Sequence, residues 1–205
     1  MTSSRKLRFY AILLISPLMW ACHNNDMLVN TQADAALQGP PAPGTRMDVQ
    51  IREGVHDPAQ AGEALEKVKN QVQKKGYVVA SSRSNAEYVL VFDYGFGEPR
   101  YEKTDAGEFS YYGLFFGGSK GFPKKGKWVV MALYPAGSFK GSNQSPPIWQ
   151  GRIDSDESSA NLQSELEYLA AGGLRYLGKN TGSTKQISVS RSEVQAAKQE
   201  NVPNQ

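Results

Sequence analysis

The sequence predicts an α+β fold: two helices packed on one face of a mixed or antiparallel sheet, in a single domain. Three observations carry this. Residues 47–51 alternate apolar and polar, the period of a half-buried strand. Residues 88–92 and 128–134 are continuous apolar runs suited to strands buried on both faces. Two further segments, beginning near Pro58 and Leu162, place apolar residues at helical spacing. Helices separated by runs of strands suggest helices gathered on one side of a sheet.

From the N-terminus, Arg5, Lys6 and Arg8 form a basic region, Phe9 to Trp20 an apolar stretch, and Ala21 a small residue before Cys22. The apolar stretch is shorter than the ~20 residues that span a bilayer, and Pro17 interrupts it. Residues 1–21 therefore read as a bacterial lipoprotein signal peptide, whose removal makes Cys22 a lipidated, palmitate-bearing N-terminus. The competing reading, an ordinary secretory leader cut at Ala33-x-Ala35, places the cleavage far beyond the apolar stretch. His23 follows the cysteine, not the aspartate associated with inner-membrane retention in enteric lipoproteins, so the outer membrane is the expected destination. Residues 22–46 are polar and end in Gly39-Pro40-Pro41-Ala42-Pro43-Gly44. They read as a flexible tether with a span on the order of 25 Å.

The globular domain covers residues 47–190. Met47, Val49 and Ile51 face one way along the first strand. Asp57-Pro58-Ala59-Gln60 opens a helix, with Ala61, Leu65, Val68 and Val72 on one face and Gly76 closing it. Tyr77 to Ala80 starts a second strand, Tyr88 to Phe92 and Trp128 to Tyr134 form central strands, and Ile148 to Ile153 pairs with them, placing Trp149 in the core. Leu162, Leu166, Leu169 and Gly173 share a helix face, with Gly178 as the stop, and Ile187 and Val189 belong to a closing edge strand. Residues 191–205 read as a polar tail.

The chain has 23 basic and 20 acidic residues, and removal of Arg5, Lys6 and Arg8 leaves 20 against 20. A neutral mature protein gives no support for steering toward nucleic acid. A single cysteine committed to lipid excludes an intramolecular disulfide, so the fold rests on its core.

Candidate chemistry is sparse. His56 is the only histidine besides His23, which leaves a histidine triad or multi-histidine metal site without members. Asp154, Asp156 and Glu157 read as acidic residues favoured by the dipole of the second helix, because a calcium loop needs more oxygen ligands and a glycine turn. Gly121 to Lys127 matches seven positions of a phosphate loop, but Trp128 follows in place of the hydroxyl residue. The segment also leads into a strand, where a phosphate loop must open a helix. No nucleotide, metal or other cofactor is expected, and Lys124, Lys125 and Lys127 read as solubilising an exposed turn.

The segment from Tyr101 to Phe122 interleaves seven aromatic residues with glycines, and loops this long inside a domain are functional or disordered. Tyr111, Tyr112, Phe115 and Phe116 form the candidate contact loop, for an envelope protein or alternatively a glycan or lipid. Aromatics folded back onto the sheet are the competing account.

The leader ending in Cys22, the helix closed by Gly76-Tyr77, the run Asn85-Ala86-Glu87-Tyr88-Val89-Leu90-Val91, and Trp149-x-Gly151 before a last helix resemble one known pattern. It is that of the bacterial envelope lipoproteins grouped as domain of unknown function 4136, over most of the stretch from Met47 to Gly178. The resemblance implies an envelope location and no activity. The expectation is a membrane-anchored lipoprotein that binds or organises another envelope component without catalysis. The alternative is a periplasmic hydrolase of cell-wall or lipid substrates built on carboxylates, with Asp93 first among them.

Overall fold

The computed structural model describes residues 24–35, 37–52, 58–96, 126–142, 144–155 and 162–195. Seven strands and three helices are formed among them: β1 (Asn24–Ala33), β2 (Arg46–Ile51), α1 (Pro58–Lys74), β3 (Val78–Val79), β4 (Tyr88–Phe96), β5 (Lys127–Pro135), β6 (Trp149–Ser155), α2 (Leu162–Arg175), β7 (Lys185–Ser190) and α3 (Arg191–Gln195). The sheet order is β3-β2-β4-β5-β6-β1-β7. β2 runs parallel to β3 and β4, and the pairs β4–β5, β5–β6, β6–β1 and β1–β7 are antiparallel. This is the expected mixed sheet, with α1 supplying the crossover that parallel pairing demands.

α1 and α2 lie on the same face of the sheet and contact each other. The main core lies between them and the strands: Val68 and Val72 of α1 and Leu166 and Leu169 of α2 meet Leu90, Phe92, Met131 and Ile153. Burying such a side chain contributes about 1.5–3 kcal/mol relative to exposure, so a handful outweighs the modest helix propensities. Trp149 belongs to this core, as its place in the alternation predicts. Its ring lies across Gly151, where an added Cβ would sit 3.0 Å from the indole, and its Nε1 donates to the Lys179 carbonyl at 3.2 Å. The Trp-x-Gly spacing thus has a packing cause. The alternate residues Val89, Val91, Val130 and Tyr134 form a second cluster on the opposite face.

Gly76 and Gly178 end α1 and α2 with φ of 85° and 72°, a left-handed conformation that glycine adopts without a Cβ penalty. Gly178 also sits against the chain at Gly39 and Pro40, where an added Cβ would approach the Pro40 Cα to 2.5 Å.

The expected tether over residues 22–46 is corrected by the structure. Asn24–Ala33 is a ten-residue strand inserted between β6 and β7, with Met27 and Val29 2% and 0% exposed in the core. The proline-containing stretch after it is docked as well: the Tyr77 hydroxyl donates to the Pro41 carbonyl, and the Gly44 N–H donates to the Gly76 carbonyl at 2.7 Å. Two partner strands and a few inward apolar side chains suffice to order a segment whose composition is otherwise that of a linker.

The start of the expected polar tail differs too. Residues 191–195 form α3, which buries Val194 and places Glu193 between Arg175 and Lys75. Burial raises the Glu193 carboxyl, but the hydrogen bonds and charges of Arg175 and Lys75 outweigh it and hold the group below its usual range.

Candidate functional site

Cys22, His56, Tyr111, Tyr112, Phe115 and Phe116 lie outside the described residues, as do Asp156 and Glu157. The described residues define two other features. One is a row of buried charges on the face of the sheet opposite the helices. The other is the end of the sheet where β1 begins.

The buried row follows from strand register. Asp93 of β4 pairs with Val130 of β5, which pairs with Arg152 of β6, and Arg52 continues β2 alongside through its N–H to the Phe92 carbonyl. All three ionic residues point away from the helices because each alternates with a core residue, Ile51, Phe92 or Ile153. Arg52 Nη1 stands 3.7 Å from Asp93 Oδ2, and the other Asp93 oxygen accepts the Tyr94 N–H at 2.8 Å. Arg152 grips Asp154 with two hydrogen bonds of 2.6 Å, from Nε and Nη2. Burial pushes the Asp154 carboxyl up to about 6 against the opposing hydrogen bond and charge of Arg152. Tyr134 lies close enough for the Arg52 charge to act on it, and burial still drives its hydroxyl well above the usual phenol range.

Asp93 is therefore held by an arginine and a backbone amide. Asp154, expected in the acidic turn before α2, is instead an inner residue of β6. The same correction applies to Lys127, expected on an exposed turn: it is the first residue of β5, buried, and its Nζ donates to Glu165 in the first turn of α2. A buried ammonium needs such a partner. Neither pairing was legible locally, because the partners of Lys127 and Asp93 stand 38 and 41 residues away. Arg152 and Asp154, two apart on one strand face, carried a readable signal.

Trp128 covers the end of this row. Its ring crosses Gly95, where an added Cβ would come within 2.6 Å of the indole, and its buried Nε1 has no hydrogen-bond partner among the described residues. Among the described residues no group of three or more His, Cys, Asp or Glu is arranged to hold a metal ion. No described helix is long and apolar enough to cross a membrane.

The second feature is the rim at the start of β1. One cross-strand row links Phe96, Lys127, Ser155, Met27 and Ile187 through successive pairings. β1 continues past it to Asn24, which pairs with Ser190 at the end of β7. The chain bearing Tyr111, Tyr112, Phe115 and Phe116 leaves the sheet at Phe96 and returns at Lys127, both in this row. Phe96 is 56% exposed, and the only comparably exposed large apolar side chain among the described residues, Val78 at 47%, lies at the opposite end.

No protein-family model matches the chain, and no curated protein matches it. Its fold is similar to several solved structures. The PelC dodecamer of Paraburkholderia phytofirmans is 19% identical, with 76% of this chain and 99% of that chain covered and a TM-score of 0.45. A PDZ domain protein from Parabacteroides distasonis is 13% identical, with 82% of this chain and 40% of that one covered and a TM-score of 0.46. A domain of unknown function 4136 protein from Bacteroides thetaiotaomicron is 13% identical, with 73% of this chain and 92% of that one covered and a TM-score of 0.42, so the family singled out from the sequence stands among the structural neighbours.

Proposed function

We propose that this protein is a lipid-anchored component of the bacterial cell envelope, held at the outer membrane through Cys22 with its domain facing the periplasm. Its work there is non-enzymatic: it binds or organises another envelope component. The observation that carries the anchor is the single cysteine at the end of a basic-then-apolar leader, two residues before the first strand. The binding role is supported by the commitment of the interior charges to one another. Arg52 with Asp93, Arg152 with Asp154 and Lys127 with Glu165 are ion pairs within the fold, and Asp93, the carboxylate first in line for a hydrolase, is one of their members. The contact surface we favour is the aromatic segment containing Tyr111, Tyr112, Phe115 and Phe116.

Site-specific photo-crosslinking from Phe115 in living cells tests the reading, with Cys22→Ala as the unanchored control. A discrete envelope-protein adduct that disappears in the control is expected. Normal lipidation and folding with no adduct would remove the adaptor role from this segment. Replacing Tyr111, Tyr112, Phe115 and Phe116 by serine should abolish the adduct at unchanged thermal stability, whereas unfolding of that variant would make the aromatics part of the core.

A further inference from the structure

Building on the reading of Cys22 as the lipidated terminus, we propose that the domain is seated directly on the lipid headgroups by the end of the sheet where β1 begins. Only His23 separates Cys22 from Asn24, and two extended residues reach about 7 Å. No slack is gained from the strand itself beyond its first three residues. Over Met27 to Val29 β1 is paired on both sides, with Ser155 of β6 and Ile187 of β7 opposite Met27. Pulling Met27 and Val29 out of the core would cost about 1.5–3 kcal/mol for each side chain, besides two hydrogen-bonded ladders. Releasing only Asn24 to Asp26, which pair with β7 alone, lengthens the leash by about 10 Å.

A leash this short selects the surface that meets the membrane. Asn24 and Ser190 lie at one end of the sheet, beyond the row Phe96–Lys127–Ser155–Met27–Ile187. The exposed Phe96 ring therefore stands on the membrane-facing rim, where aromatic side chains are favoured at the headgroup level. Arg191, exposed immediately after Ser190, adds a positive charge to the same rim, suited to anionic lipid headgroups. The opposite end, with Val78 and Arg46, points away from the bilayer. A lipid surface is thus the occupant of this rim.

The test uses the full mature protein in phosphatidylethanolamine–phosphatidylglycerol vesicles, with acylation of Cys22 read from the mass of its N-terminal peptide. Spin labels are placed singly at Phe96→Cys, Ser192→Cys and Val78→Cys, and collision with an aqueous nickel chelate is measured. Labels at 96 and 192 are expected to be several-fold less accessible than on the unanchored Cys22→Ala protein, with the label at 78 unchanged. Inserting a flexible Gly/Ser linker of about 20 residues between His23 and Asn24 should restore access at both. Acylated Cys22 with labels at 96 and 192 as accessible as in the unanchored protein would overturn the seating while leaving the anchor intact. An unacylated Cys22 peptide would remove the anchor and the seating together.

Discussion

Replacing Asp93 by asparagine separates a structural carboxylate from a catalytic one, and the structure sets the size of the effect. Asp93 and Arg52 are both buried, 3.7 Å apart. At an effective dielectric of about 20 their gross attraction is about 4.5 kcal/mol. Asparagine keeps an oxygen for the Tyr94 N–H and removes only the charge facing Arg52. Removing one member of a buried ion pair costs about 3–5 kcal/mol, and with the amide contact retained the lower end, about 3 kcal/mol, is expected. With a urea dependence of about 2 kcal/mol per molar, the unfolding midpoint of Asp93→Asn should fall by about 1.5 M. The double replacement Arg52→Met with Asp93→Leu should recover most of that, because apolar groups of similar volume replace buried pairs at little cost. Urea titrations of the parent, Arg52→Met, Asp93→Leu and the double variant complete the cycle. A single variant within 0.5 kcal/mol of the parent would refute the reasoning, since a charge pair this deeply buried is not neutral when one charge is removed. Asp93→Asn is therefore not a clean probe of a hydrolase, because any activity lost in it would be confounded by lost stability.

Lys127→Met should destabilise by about 3–5 kcal/mol by stranding Glu165 in the core, and the added change Glu165→Leu should recover most of the loss in the same titration. Gly178→Ala should cost on the order of 2–3 kcal/mol, through a strained φ of 72° and contact with the backbone of Gly39 and Pro40. An unchanged melting temperature in that variant would mean that the chain after β1 is not docked on α2. Stability should also rise as the pH falls from 7 to 5. Asp154 has a folded pKa of about 6 against 3.8 unfolded, so its ionised form opposes folding above pH 6 and the penalty is relieved as it protonates. Glu193 acts oppositely and lower: its folded pKa is depressed, so its contribution is lost as the pH falls below about 4.5. The urea midpoint should peak between these ranges, and a steady fall from pH 7 to 5 would contradict the Asp154 assignment.

Most of the helix-bearing half of the fold was legible because its signals are local. The apolar spacing from Val68 to Val72 and from Leu166 to Leu169, closed by Gly76 and Gly178, marks each helix within its own segment. β4 and β5 announce themselves because both of their faces are buried, which leaves no polar alternation to mislead. The paired charges were not legible in the same way. Lys127 beside Lys124 and Lys125 has the composition of a solvated turn, and only Glu165, on a helix far along the chain, makes it an interior residue.

β1 shows most clearly where local reading stops and what changes when it does. Its inward face holds Met27 and Val29, followed by Thr31, whose hydroxyl donates to the Lys179 carbonyl at 2.9 Å. The alternate positions Asp26, Asn30 and Gln32 are polar. Two inward apolar residues, with Leu28 between them on the other face, do not distinguish a strand from a linker, since the partners that make the difference, β6 and β7, are more than a hundred residues away. A linker there would let the domain float about 25 Å from its anchor and leave every surface open to partners. A strand leaves one residue, His23, between Cys22 and a sheet that can release no more than Asn24 to Asp26 without losing its core. The same residues that complete the fold therefore fix which way an anchored domain would face.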